Sequence, residues 1–80
     1  MEKLPKERVA VGAKKVLKAL EAGQVARVYA ALDAEGFVNR RVLSLCSEKH
    51  IPVVDVPTMK QIGEACGIDV GAACCALLRG

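Results

Sequence analysis

Val9-Ala10-Val11-Gly12-Ala13-Lys14-Lys15-Val16-Leu17-Lys18-Ala19-Leu20-Glu21-Ala22-Gly23 joins an apolar triplet, a glycine and a lysine-faced amphipathic segment. The triplet predicts a short buried strand, and Gly12 the turn out of it. Ala13, Val16, Leu17 and Leu20 then recur at helical spacing, which puts them on one buried face. Lys14, Lys15 and Lys18 fall on the remaining surface, and Gly23 suits the residue that closes the helix. A helix start offers unpaired N–H groups and the positive end of the dipole, and three ammonium groups add formal charge beside it. That combination is an anion-receiving platform; the alternative is a solvated lysine face on an ordinary amphipathic helix.

Working outward, Met1 to Arg8 is a charged lead-in with room for one helical turn after Pro5. Val25 to Ala31 predicts the next strand, its nearly continuous apolar character implying cover on both faces. A turn follows over Leu32 to Gly36, with Asp33 as an N-cap or turn-forming carboxylate. The second helix is expected from Phe37 to His50, with Val38, Val42, Leu45 and Cys46 as its buried stripe. Pro52 ends that pattern, and Val53 to Val56 predicts a third strand. Thr58 with Gln61 forms a capping box for a third helix through Met59, Ile62, Ala65 and Cys66, which Gly67 closes. A loop over Gly67 to Gly71 leads to a last strand, Ala72 to Leu78. Strict alternation of strand and helix argues for an α/β layered fold, helices on both faces of a parallel or mixed sheet.

Eighty residues make one domain, residues 1–80, and a hydrophobic fraction of 52% supplies a real core. Tyr29 and Phe37 are the only aromatics, so Val, Leu, Ile, Ala and Cys must fill the core. The same scarcity counts against stacking single-stranded bases across a sheet face. The formal net charge is +3, but residues 1–20 hold six basic and two acidic side chains, +4, leaving the rest at −1. A basic N-terminal third on a near-neutral body favours a localised polyanion contact. With no targeting or membrane-spanning stretch visible, a cytoplasmic location is expected. Cys46, Cys66, Cys74 and Cys75 form no C-x-x-C pair, and all four are read as buried free thiols rather than metal ligands. Adjacent Cys74 and Cys75 should point to opposite faces of the sheet.

Catalysis finds little to work with. His50 stands four residues after Cys46, yet no third group orients such a pair, and a helix-end imidazole meeting terminal carbonyls explains it. Asp33, Glu35, Asp55 and Asp69 sit at turns or strand ends. The glycines never reach the spacing of a phosphate-binding loop. No enzyme, metal site or cofactor is expected. Binding is better supported, because loops after strand ends of an alternating sheet gather on one side. Lys14, Lys15 and Lys18 could meet there with Ile68 and Val70, unless those two fold back into the core.

Three blocks carry a family resemblance: Gly12 to Leu20, Ala31-Leu32-Asp33-Ala34, and Ile62-Gly63-Glu64-Ala65-Cys66-Gly67-Ile68-Asp69-Val70-Gly71-Ala72-Ala73. Together they resemble the ribosomal L-seven-Ae family, in length and pattern its short bacterial YbxF-type members. The resemblance implies a three-layer α/β/α sandwich with a four-stranded mixed sheet. It also implies binding, as a monomer and away from membranes, to structured RNA containing a kink-turn, such as ribosomal RNA or a riboswitch. The glycine-led helix start would enter the widened major groove and read the guanines of tandem sheared G·A pairs. On that basis Gly12, Ala13, Lys14, Lys15, Lys18, Asp33, Ala34, Ile68, Asp69, Val70 and Gly71 form the RNA-binding set. Ile68 to Val70 would pack against extruded nucleotides.

Two departures matter. Many members carry Asn-Glu, and close bacterial relatives Lys-Gln, where this chain has Lys14-Lys15. Lysine accepts no hydrogen bond, so Lys15 is expected to meet phosphate rather than a guanine N–H. Gly36 replaces a frequent proline at the start of the second helix. The alternatives are a ribosome-associated or protein-interaction module of the same fold without kink-turn specificity, and a small thiol enzyme acting through Cys46.

Overall fold

A computed structural model describes all 80 residues. After a single 3-10 turn at Lys6–Arg8, the order is β1 (Val9–Val11), α1 (Ala13–Glu21), β2 (Val25–Ala31), α2 (Gly36–Lys49), β3 (Val53–Val56), α3 (Met59–Cys66) and β4 (Cys74–Leu78). The four strands form one mixed sheet in the order β1-β4-β2-β3. β4 runs antiparallel to both β1 and β2, whereas β2 and β3 are parallel. A register shift between Val25 and Arg27 marks the start of β2.

The alternation of side chains along each strand divides the core in two. On one face α1 (Val16, Ala19, Leu20) and α2 (Val42, Cys46) pack over Val25, Val28, Cys74 and Ala76. On the other, Ile62 and Cys66 of α3, with Leu4, pack over Tyr29, Ala31, Val56 and Cys75. The expected α/β/α sandwich is therefore present, and Cys74 and Cys75 do point into different layers. Leu4 is an addition. Its N–H donates to the Ala65 carbonyl at 2.9 Å, so the charged lead-in buries one leucine beneath α3.

Several local expectations shift. α2 begins at Gly36, and its fully buried residues are Asn39, Val42 and Cys46, with Val38 and Leu45 only half-buried. The helix is rotated toward Asn39, whose amide is engaged below the helix. At the far end of α2, the carbonyls of Cys46 and Ser47 accept from the backbone N–H groups of Ile51 (2.9 Å) and His50 (3.3 Å). His50 adopts the left-handed conformation (φ 57°) that this ending requires, so backbone rather than imidazole closes the helix. Thr58 caps α3 as expected, its Oγ1 accepting from Gln61 N–H at 3.2 Å. β4 starts at Cys74 instead of Ala72 because Ala72 and Ala73 belong to the incoming loop.

The four buried thiols give the fold a pH signature. Burial pushes Cys74 up to about 11 from 9.0, with Cys46 beside it adding to the rise. Burial, and then the neighbouring Cys66, push Cys75 up further still. The folded state therefore holds protons that an unfolded chain releases from pH 9 upward. This contribution to stability is complete below pH 9 and is lost as pH rises through the folded values. Under reducing conditions, melting temperature should fall between pH 9 and 11, and Cys74→Ala/Cys75→Ala should flatten the fall.

Candidate nucleic-acid interface

The C-terminal ends of β1, β2 and β3 and the start of β4 lie at one end of the sheet, since Val11 pairs with Cys75, Ala30 with Cys74, and Ala31 with Val56. Everything that follows those strand ends is gathered there.

The first element is the start of α1. Gly12 is its N-cap at φ 93° and ψ 152°, a conformation open to glycine and strained for side-chain-bearing residues. Its N–H donates to the Cys74 carbonyl at 2.9 Å, which pins the helix start to β4. No side chain caps the first turn. Ala13 is half-buried against the core, whereas Lys14, Lys15 and Lys18 are exposed. Lys15 and Lys18 flank a shallow groove continued by Ala22 and Gln24.

The second element is the loop from Gly67 to Ala73. Gly67 turns left-handed (φ 74°), and Ile68 N–H returns to the Gly63 carbonyl at 3.0 Å. Gly63 is buried beneath the loop, and a Cβ there would collide with the Val70 carbonyl. Gly71 lies against Met59, and Ala72 N–H donates to the Met59 carbonyl at 3.1 Å. With its backbone clamped in this way, the loop turns its side chains outward. Val70 is 69% exposed and Ile68 37%, so neither folds back into the core. Asp69 and Gly71 are exposed beside them.

The third element is the turn after β2. Asp33 Oδ1 accepts from Met59 N–H at 2.8 Å, so this carboxylate satisfies the start of α3 rather than of α2. Glu35, extended, occupies the N-cap position of α2 without a side-chain cap. Ala34 packs against the α3-side core. Met59 thereby receives Asp33 on its N–H and Ala72 on its carbonyl, which links the turn to the apolar loop through one residue.

The model of the ribosomal protein L7Ae/L30e/S12e/Gadd45 family matches residues 2–79. The chain belongs to this family. An RNA-binding protein of Caldanaerobacter subterraneus is 51% identical over 72 residues, covering 90% of this chain and 87% of that protein. The RNA-binding protein YbxF of Geobacillus stearothermophilus is 38% identical over 72 residues, covering 90% and 88%. Among solved structures, the Giardia lamblia 15.5kD RNA binding protein superposes with a TM-score of 0.86 at 23% identity. This chain covers 62% of its length, with 92% of its own residues matched, and the likeness speaks to the fold. A Bacillus halodurans protein of unknown function superposes at 0.82 with 26% identity, covering 92% of this chain and 74% of that one. The family is non-enzymatic.

The thiols of this L7Ae-family protein agree with that. Burial raises Cys46, a poor state for a nucleophile, and His50 is exposed at the helix end. The sequence had also left three residues of this region unassigned. Leu32 and Phe37 are 66% and 65% exposed, flanking the Asp33 turn. An apolar residue between a strand end and Asp33-Ala34 was the available signal for Leu32. Phe37 was legible only as an apolar residue in the first turn of a helix. Asn39 is the third, a buried polar residue that the expected stripe of α2 did not include. No helix is long and apolar enough to cross a membrane.

Asp33→Ala should cost about 1 kcal/mol of unfolding free energy in a denaturant titration, the typical loss when a helix-start acceptor is removed. Gly63→Ala should cost more, about 1–3 kcal/mol, because a buried methyl group would have to displace the Val70 peptide.

Proposed function

We propose that this protein is a non-enzymatic RNA-binding protein that docks on kink-turns in structured or ribosomal RNA. The observation that carries the proposal is the meeting, at one end of the sheet, of an exposed lysine-bearing helix start with an outward-facing apolar loop. The two are tied to the same short stretch of β4, through Gly12 N–H on the Cys74 carbonyl and through Ala72-Ala73 leading from the loop. Each half suits a different part of a bent RNA. Ammonium groups donate to guanine O6 and N7, and a bent helix opens the groove in which those atoms lie. Exposed Ile68 and Val70 offer an apolar surface to bases that have left the stack.

The lysines divide by task. Lys14 and Lys18 stand one turn apart on one row of α1 and are assigned to guanine edges. Lys15, lacking an acceptor, is assigned to phosphate, which strengthens binding while adding salt dependence. Asp33 and Ala34 support the site from beneath, the first by holding α3 and the second by packing. Four free, buried cysteines fit work in the reducing cytosol. Phe37 and Leu43, exposed on α2 outside this clamp, favour as a second reading a protein-interaction module of the same fold.

A gel-shift series with a kink-turn, and with the same RNA carrying Watson–Crick pairs in place of its G·A pairs, tests the proposal. The kink-turn should bind more tightly; equal affinity defeats the specific claim and leaves the interaction module as the better account. Lys18→Ala should weaken kink-turn binding by ~1–3 kcal/mol. Lys15→Ala should lower the slope of log affinity against log salt by about 1.

A further inference from the structure

We infer that Asn39 is a positioning residue for the interface, holding the stem of the Ile68–Gly71 loop through the Ala73 carbonyl. The inference rests on the proposal that this loop meets RNA, and it adds a residue from the core side of α2 that faces no ligand.

Asn39 is the one buried polar residue of the protein, 5% exposed. Its Nδ2 donates to the Ala73 carbonyl at 2.9 Å, across 34 positions of sequence. The same oxygen accepts from Ala31 N–H at 2.9 Å, so both of its lone pairs are used and its direction is set from two sides. The next carbonyl, of Cys74, takes Gly12 N–H. Two consecutive peptides thus fasten the apolar loop, the end of β2, the start of α1 and α2 to one another.

Asn39 Oδ1 is buried with no hydrogen-bond partner among the protein's own groups. A half-satisfied buried amide adds little net stability, because desolvation of the orphaned oxygen offsets the bond made by the nitrogen. An apolar side chain of similar shape would fill the same space and remove that penalty. It would also remove the only group from α2 that aims the Ala73 carbonyl. Stability and positioning are therefore separable at this position, which a purely structural role would not allow.

Asn39→Leu should keep or raise the melting temperature while the amides of Ala31 and Ala72 exchange faster in the native state. Its affinity for a kink-turn RNA should fall about five- to tenfold, the scale of one lost net hydrogen bond, chiefly through faster dissociation. Unchanged affinity at unchanged stability overturns the inference. If the wild-type protein shows no preference for the kink-turn, the functional proposal fails. Exchange at Ala31 and Ala72 then decides alone whether Asn39 holds the loop. Should the leucine variant not fold, the wild-type protein still decides. Slowly exchanging Asn39 amide protons, with scalar coupling to the Ala73 carbonyl carbon, support the role, and their absence overturns it.

Discussion

Ala73 presents one carbonyl oxygen to two donors from different parts of the chain, Ala31 N–H and Asn39 Nδ2, and Cys74 presents the next to Gly12. Hydrogen bonds between backbone groups so far apart in sequence exist only once β4 has entered the sheet between β1 and β2. β4 is thus the strand against which the start of α1 and the stem of the apolar loop are aligned. A second link runs through Met59, which takes Asp33 on its N–H and Ala72 on its carbonyl. The exposed side chains stand on a backbone whose directions are set from several sides. Such a scaffold binds with less ordering cost than a free loop would carry.

That arrangement depends on a thin, two-sided core. β4 contributes Cys74 and Ala76 to one layer and Cys75 to the other, all fully buried and all small. Small side chains on a central strand let α1, α2 and α3 approach the sheet closely from both sides. The same environment explains why the thiols are held protonated, since a charged sulfur would have no water to solvate it. Cysteine here behaves as a small hydrophobe whose chemistry is suppressed by its position.

The exposed face follows a different logic. Three lysines on a short helix gain nothing from one another, and outward-facing Ile68 and Val70 gain nothing from water. Under the proposed function their neighbourhood suits a partner that is anionic in its backbone and apolar in its unstacked bases. Charge supplies attraction without sequence discrimination, whereas donors placed at base edges and a shaped apolar surface supply selectivity.

Much of this was legible in the amino-acid sequence. Periodicity located all four strands and three helices, because Val9–Val11, Val25–Ala31 and the stripes of α1 and α3 bury surfaces that only one kind of backbone can align. The adjacency of Cys74 and Cys75 foretold two layers, since neighbours on a strand face opposite ways. The lysines of α1 declared a charged platform, and glycines at 67 and 71 bracketed the loop between α3 and β4. Other features were not legible, because they depend on which distant groups meet. Asn39 lay outside the expected stripe of α2, and only Ala73 placed beneath it gives its amide a partner. Asp33 looked like a cap for the helix that follows it, yet it caps α3, because parallel pairing of β2 with β3 brings Met59 to its side chain. Whether Ile68 and Val70 turned inward or outward was undecidable from composition; Gly63 settles it by seating the Val70 peptide against α3. Local sequence determined the elements and the kind of chemistry carried on each. Tertiary structure alone decided which backbone carbonyls fasten them into one surface, because those bonds join residues that only the packed sheet brings within reach.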